Sequence, residues 1–227
     1  MSIPLLVESF AKLPQPRPGD DPDLLQAGIQ AAMREFRDEV REKYTEGTLQ
    51  RLLTDGDELA RRAAALALGF EGTMRSNPAL AAALRDDDPS VRQFAADSLR
   101  EVWLRGDEAD HGPRLQQALA TADHTRAFAA LSELIREAPD FAEAYNQRAV
   151  LHFQRGEFRQ SAADCEATLR LNPAHFGAAA GLGQCYLRLN RPRAALRAFR
   201  QALAIYPGLD EVRDAVRELE AALGEAE

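Results

Sequence analysis

Apolar residues between positions 141 and 207 recur every three or four residues, and polar residues fill the positions between them. This spacing predicts a series of amphipathic helices. Prolines interrupt the series at Pro139, Pro173 and Pro207, and the interval is 34 residues in both cases. Because proline ends a helix at or before the preceding residue, each proline is predicted to separate one pair of helices from the next. A fixed period of this length is typical of stacked helical hairpins.

The last of these units carries small and aromatic residues at regular positions. They are Leu182, Gly183 and Tyr186 in the first helix, and Ala195, Phe199 and Ala202 in the second. This series closely resembles the tetratricopeptide repeat, with its L-G-x2-Y…A-x3-F…A…P pattern. The resemblance implies that the small residues let helix backbones approach and that the aromatic rings fill the space between hairpins.

A second internal repeat lies upstream, with an offset of 31 residues. Aspartate, arginine and leucine recur at that offset in four pairs: Asp55 with Asp86, Asp57 with Asp88, Arg61 with Arg92, and Leu68 with Leu99. The pattern D-x-D-x-x-[VA]-R-x-x-A-A resembles the short two-helix HEAT-like repeat of bacterial proteins and of bilin lyases. In that family the Asp and Arg stack between neighbouring repeats, so the resemblance implies a structural role for them here.

These patterns predict an all-α chain, a right-handed α-solenoid of helical hairpins with a capping helix at each end. Residues 1–21 contain four prolines and are predicted to form an extended arm. Residues 22–107 are predicted to hold a capping helix, from Pro22 to about Tyr44, and two HEAT-like repeats. Residues 108–227 are predicted to hold three tetratricopeptide hairpins, the first degenerate, and a final capping helix. Overall the chain resembles bacterial proteins that combine the two repeat types.

Composition narrows the classes of partner. The net charge of −8 and the pI near 5.2 oppose nonspecific attraction to nucleic acid or to anionic membranes. The N-terminus lacks a basic start and a small-residue cleavage site, so we expect a cytoplasmic protein. We also expect a monomer or a weak dimer. The two cysteines, Cys165 and Cys185, are interpreted as reduced core thiols; the alternative is a disulfide or redox pair.

Motifs of catalysis are missing from the sequence. None of the four histidines is followed by glutamate or belongs to an H-E-x-x-H motif, and no phosphate-binding glycine loop or G-x-S-x-G follows a plausible strand. We therefore expect no catalytic residue, no metal and no cofactor. The chain is interpreted as a non-catalytic scaffold or adaptor for protein interactions. The alternative is an accessory subunit or enzyme of HEAT-like type, similar to a bilin lyase, that handles a small molecule.

The resemblance to tetratricopeptide repeats implies that the first helix of each repeat lines a concave face that holds a peptide or a helix. The candidate binding residues on this face are Asn146, Gln147, Val150, Phe153, Gly177, Ala180, Gly181, Gln184 and Arg188. Glycine inside a helix costs about 1 kcal/mol relative to alanine, so the glycines suggest space kept for a ligand. Close backbone packing is the competing explanation. Arg148 faces Asp164 and is interpreted as a structural ion pair, or else as part of the binding site.

Charge is unevenly placed in the last repeat. Residues 174–208 contain five arginines and no acidic residue, whereas residues 209–227 contain seven acidic residues and two arginines. Two explanations stand side by side: the acidic final helix neutralises the basic repeat, or an acidic protein partner binds it. The candidates for contact with that partner are Arg193, Arg197 and Arg200.

Overall fold

The structure is a computed structural model that describes residues 5–14, 22–106 and 110–224. Within these ranges it contains thirteen α-helices, one short 3-10 turn and no β-strand. The prediction of an all-α chain is therefore confirmed. The chain forms two compact units, Met1–Val102 and Trp103–Glu227.

The first unit is built from helices of 7 to 22 residues. In chain order they are α1 (Leu5–Ala11), α2 (Pro22–Lys43), α3 (Glu46–Asp55), α4 (Glu58–Glu71), α5 (Asn77–Ala83) and α6 (Pro89–Arg105), with a 3-10 turn at Met74–Ser76 before α5. Helix α4 begins after Asp57, whose carboxylate accepts a hydrogen bond of 2.9 Å from the backbone N–H of Ala60. Half of the fourteen residues of the alanine-rich α4 are buried, and Ser98 of α6 donates to the Ala65 carbonyl at 2.8 Å.

Helix α1 contradicts the predicted extended arm. The four prolines of residues 1–21 lie at positions 4, 14, 16 and 18, outside Leu5–Ala11, so none of them interrupts this helix. Leu6 and Val7 are buried, and the Phe10 ring makes edge contacts with Phe36 and Phe94. The gain from burying this apolar face outweighs the weak propensity of so short a helix. Positions 15–21 of the predicted arm lie outside the described residues.

The charged pattern of the upstream repeat joins its two copies. Arg61 of the first copy binds Asp86 of the second through two hydrogen bonds, of 2.7 Å and 2.9 Å. Its neighbour Arg62 pairs with Asp88, and Arg92 donates to the backbone carbonyl of Asp86 at 2.7 Å. The hydrogen bond from Arg61 holds the pKa of Asp86 below its ordinary value of 3.8. We call Arg61, Arg62 and Arg92 with their aspartate partners the arginine ladder. Its contacts confirm the predicted structural role of the repeated Asp and Arg side chains.

The second unit consists of helical hairpins. Its helices are α7 (His111–Leu119), α8 (His124–Glu137), α9 (Ala142–Gln154), α10 (Phe158–Leu171), α11 (Phe176–Arg188), α12 (Pro192–Ile205) and α13 (Asp210–Leu223). The helices before Pro139, Pro173 and Pro207 each end two residues before the proline, and the next helix begins three residues after it. The predicted helix stops are confirmed. Gly156 and Asn190, also 34 residues apart, both take positive φ, of 77° and 57°, at the turn inside their hairpins.

The last helix, α13, lies against α12. Val216 is buried with Leu196 and Phe199, and Val212 and Leu219 are partly buried against the same cluster. At the surface, the Glu220 carboxylate accepts hydrogen bonds of 2.7 Å and 3.2 Å from the Arg200 guanidinium. Helix α13 thus covers the apolar side of α12 and supplies an acidic partner to one of its arginines.

Deletion of residues 209–227 should lower the melting temperature by about 10 °C. The deletion exposes Leu196 and Phe199 to water and should lower the free energy of unfolding by about 3 kcal/mol. Each kcal/mol of unfolding free energy shifts Tm by about 2–4 °C in a protein of this size. The exposed patch should also promote self-association, which light scattering would detect. The matched control is Glu220→Gln, which removes only the surface ion pair with Arg200 and should cost less than about 1 kcal/mol. A truncated protein that stays monomeric and melts normally would show that α13 does not cap the array.

Acid should destabilise the arginine ladder through Asp86. Since its pKa is lowered in the folded state, the Asp86 carboxylate contributes stability above about pH 4, and this stability is lost as the pH falls below its ordinary pKa of 3.8. Urea melts between about pH 6 and pH 3 should therefore show a smaller loss of unfolding free energy for Asp86→Asn than for the natural chain. The control is Asp87→Asn, at the exposed neighbouring position, which should keep the natural pH dependence. Equal slopes for both variants would contradict this role of the ladder.

Candidate functional site

A cavity of about 280 Å³ opens between helices α9, α10 and α11. Six of the nine predicted binding residues line it: Asn146, Val150, Phe153, Gly177, Gly181 and Gln184. Four further residues complete its wall, namely Ala149, Gln154, Ser161 and Cys165. We call this cavity and its rim the groove. Its floor is mainly apolar, and the amide groups of three side chains stand at its edge.

The other three predicted residues lie outside the cavity wall. Gln147 is half-buried, and its amide donates to Glu143 at 2.6 Å. Ala180 is half-buried on α11. Arg188 is exposed, and its guanidinium carbon lies 4.3 Å from the centroid of the Phe158 ring and 5.7 Å from that of Phe153. This cation–π contact places Arg188 next to a wall residue of the groove.

The glycines of α11 separate into two kinds. A Cβ atom at Gly183 would lie 2.4 Å from the Phe199 ring, a distance that no packed structure allows. At Gly181 the nearest atom would be the Cys165 Sγ at 3.5 Å, and at Gly177 it would be a ring carbon of His175 at 3.4 Å. Both distances are ordinary van der Waals contacts. Close backbone packing therefore explains Gly183, whereas Gly177 and Gly181 have room for a side chain and leave the groove open.

Beneath the rim lies a buried polar network that sequence reasoning missed. The Glu143 carboxylate is 2.8 Å from His175 Nε2, and His175 Nδ1 accepts a hydrogen bond of 2.9 Å from the backbone N–H of Ala178. Because Nδ1 is the acceptor, the proton of this imidazole resides on Nε2 and is donated to Glu143. Glu143 also accepts from the amides of Asn146 and Gln147, at 3.0 Å and 2.6 Å. One carboxylate thus links the start of α11 to the rim of the groove.

An aromatic stack covers the other side of this network. The Trp103 indole stacks on the His175 ring, with centroids 4.0 Å apart and an angle of 21° between planes. The Phe176 ring is 5.3 Å from both Trp103 and Tyr206. His175, at 3% exposure, is therefore held by stacking as well as by hydrogen bonds. The sequence signal that could have indicated this arrangement is a histidine at the N-cap position of a helix that follows a proline turn.

Arg148 and Asp164 form the predicted ion pair. Two hydrogen bonds, of 2.7 Å and 2.8 Å, join the guanidinium to the carboxylate. The hydrogen bond to Asp164 raises the pKa of the Arg148 guanidinium above its ordinary value. His152 packs beside the pair, with its Nδ1 2.5 Å from the Glu157 carboxylate. The predicted ion pair is confirmed, because the Arg148 guanidinium is paired with the Asp164 carboxylate of the same chain.

Cys165 and Cys185 are free, buried thiols in one apolar cluster, as the core-thiol interpretation requires. The Cys185 thiol donates to the Ser161 hydroxyl at 3.1 Å, and that hydroxyl donates to the Ala149 carbonyl at 2.8 Å. The neighbouring Cys165 thiol lowers the pKa of Cys185 to about 7, whereas Cys185 and burial raise the pKa of Cys165. Cys165 also belongs to the wall of the groove.

The candidate arginines for an acidic partner lie on α12. Arg193, Arg197 and Arg200 are exposed. Arg200 has Glu220 of α13 as its partner, so the neutralising explanation holds at this position. Contact of Arg193 and Arg197 with an acidic partner stays a prediction.

The described residues include no helix whose length and hydropathy would suit a membrane span. Within the same part of the chain, no three side chains of His, Cys, Asp or Glu come together as ligands for a metal ion.

Comparison with known families gives two matches. The family of HEAT repeats matches residues 19–100 and 45–144, which together cover more than half of the chain. The tetratricopeptide repeat family matches residues 146–210. The HEAT match thus extends across the α7–α8 hairpin, and assignment of this hairpin to a degenerate tetratricopeptide unit stays a prediction.

Individual relatives carry the second repeat type. A TPR repeat-containing protein of Rhizobium etli is 33% identical over 126 residues, which are 54% of this chain and 62% of the relative. The chain thus spans less than two thirds of that relative's length.

Two solved structures match this chain at low sequence identity. The first TPR domain of Spaghetti (RPAP3), bound to an HSP90 peptide, is 17% identical with a TM-score of 0.48; the match covers 52% of this chain and 96% of that domain. A TPR protein of Thermus thermophilus is 19% identical with a TM-score of 0.39, over 88% of this chain and 94% of its own. The family matches and the arginine ladder lead to one conclusion: the chain belongs to the HEAT-repeat proteins and carries tetratricopeptide repeats in its C-terminal half.

Proposed function

We propose that this protein is a non-catalytic adaptor that binds a peptide or a helix of another protein in the groove between α9, α10 and α11. Tetratricopeptide repeats generally bind protein partners, which is the broader basis for this proposal. The observation that carries it is the cavity of about 280 Å³. A side chain would fit at Gly177 and at Gly181, yet both positions are glycine and the floor of the cavity stays open there. An unused space beside two helix-weakening residues is best explained by a ligand that fills it.

The size of the cavity indicates what it can hold. An apolar cavity of about 150 Å³ is large enough for a benzene ring. The groove, at about 280 Å³, therefore has room for one or two large apolar side chains of a partner. Ala149, Val150 and Phe153 supply the apolar contacts. Val150 is 44% exposed, so covering it would add to the free energy of binding.

The amides at the rim can bind the partner's backbone. Asn146 uses its amide nitrogen to donate to Glu143, so its oxygen is the atom offered to a backbone N–H of the ligand. Gln184 is exposed on the opposite helix and can both donate and accept. Because Glu143 fixes the Asn146 side chain before binding, the entropy lost on complex formation is reduced.

Filling the groove should abolish binding. Peptides would be selected from a random phage library on the immobilised intact chain, and their Kd values measured by calorimetry. Gly181→Leu places a side chain in the cavity and should weaken binding at least about tenfold, which is about 1.4 kcal/mol. Gly181→Ala is the matched control, since its methyl group fits at 3.5 Å from Cys165; it should leave Kd within about twofold.

A second variant distinguishes the groove from the basic surface of α12. Arg197→Glu reverses a charge on that surface and should not affect a ligand of the groove. If Gly181→Leu binds every selected peptide normally while Arg197→Glu loses them, the groove is not the binding site. The acidic-partner surface would then replace it.

The two kinds of glycine also predict opposite effects on stability. Gly183→Ala forces a methyl group into the Phe199 ring and should cost about 1–3 kcal/mol of unfolding free energy. Gly181→Ala has room and should stabilise the protein by up to about 1 kcal/mol, because alanine loses less backbone entropy in a helix. Urea denaturation of both variants measures the difference. A loss of stability at Gly181 as large as that at Gly183 would mean that Gly181 serves packing rather than ligand access.

A further inference from the structure

One end of the groove carries a positive charge. Arg188, the last residue of α11, is exposed, and its guanidinium carbon lies 4.3 Å from the centroid of the Phe158 ring and 5.7 Å from that of Phe153. The two rings contact each other edge to face, with centroids 5.2 Å apart. Phe153 is also a wall residue of the groove. Two aromatic rings therefore hold the charge of Arg188 next to the cavity.

Arg188 has no acidic partner among the residues that the structure describes. Arg148 of α9, in contrast, is joined to the Asp164 carboxylate by two hydrogen bonds. The wall of the cavity contains no acidic side chain. The Glu143 carboxylate beneath the rim is 5% exposed and is paired with His175. The charge of Arg188 is thus left for a group outside the described part of the chain.

The contact with the rings suits Arg188 to bind a carboxylate. It covers a face of the guanidinium and leaves the N–H groups at the edge able to donate. A planar fork of such donors matches the two oxygens of a carboxylate. Because the rings fix the side chain before binding, less conformational entropy is lost when a ligand pairs with it.

Arg188 and the two floor glycines lie on one stripe of α11. Gly177, Gly181, Gln184 and Arg188 are four, three and four residues apart, which is the spacing of one helix face. The seven-residue step from Gly181 to Arg188 corresponds to about 10 Å along the helix axis, at about 1.5 Å per residue. An extended peptide advances about 3.3 Å per residue, so groups that reach these two points are about three residues apart.

We propose that the groove binds an acidic segment of the partner, in which a large apolar side chain fills the cavity and an aspartate or glutamate about three residues away pairs with Arg188. This inference rests on the proposed function, because it names the chemistry of the ligand that the groove takes. Charge complementarity carries it. A fixed guanidinium without a carboxylate stands beside an apolar cavity, and residues 174–208 contain five arginines and no acidic residue.

The probes are peptides selected from a random phage library on the immobilised intact chain. Their C-termini are fused to the coat protein, so a free C-terminal carboxylate takes no part in the selection. We expect the selected sequences to share a large apolar residue with an aspartate or glutamate about two to four positions away. Each peptide is then synthesised with an amidated C-terminus, together with a version in which asparagine or glutamine replaces the acidic residue.

Calorimetry with both versions measures the coupling between the acid and Arg188. On the natural chain, loss of the acidic group should weaken binding about fivefold to tenfold. Arg188→Gln should weaken binding of the acidic peptide by the same factor and should bind the two versions equally, because the partner of the acid is already gone. The matched control is Arg197→Gln, which removes the same charge from an exposed position of α12 and should keep the preference.

The outcomes separate this inference from the proposed function. If Gly181→Leu blocks the selected peptides but Arg188→Gln keeps the natural preference for the acidic version, the inference is overturned and the adaptor function stands. Selected peptides without an acidic residue, or loss of the preference in Arg197→Gln instead, would overturn it in the same way. If Gly181→Leu binds every peptide normally, the groove is not the site and both proposals are wrong.

Discussion

The second unit depends on the close approach of α11 and α12, which only glycine permits at position 183. The Phe199 ring occupies the volume that a side chain at this position would need, so the two helices are packed backbone against ring. Each hairpin of such an array buries its apolar face against its neighbours alone. The contact at Gly183 therefore fixes one face of α11, and it leaves the opposite face, with Gly177 and Gly181, to form the groove.

Polar groups between the helices are paired, and each pair holds two elements in register. Arg148 and Asp164 join α9 to α10, and Glu143 and His175 join the starts of α9 and α11. A buried charge without a partner would cost several kcal/mol, so these pairs disfavour a shift of one hairpin along the next. Arg61 does the same between the two copies of the upstream repeat. Hydrophobic packing holds the helices together, and the ion pairs specify which residues meet.

Periodic features of the fold were predictable from the sequence, and long-range contacts were not. The prolines set the ends of α8, α10 and α12 because their effect on the backbone is local. Six groove residues followed from the repeat pattern, since helix periodicity places them on one face. The stack of Trp103 on His175 joins residues 72 positions apart and leaves no periodic signal. Helix α1 is not predictable in this way, because the prolines on both sides of its short apolar segment indicate extended backbone although none of them lies inside the helix.

The groove and the packing of α10 against α11 share one structural cause. Small residues on α11 are needed where a neighbouring side chain or a ligand approaches, and the same requirement brings Ser161 and Cys165 of α10 next to the cavity. A cysteine in such a wall is small enough for the packing and apolar enough for the floor of the cavity. If a partner's side chain fills the cavity, it therefore packs against the same small residues that let the two helices approach.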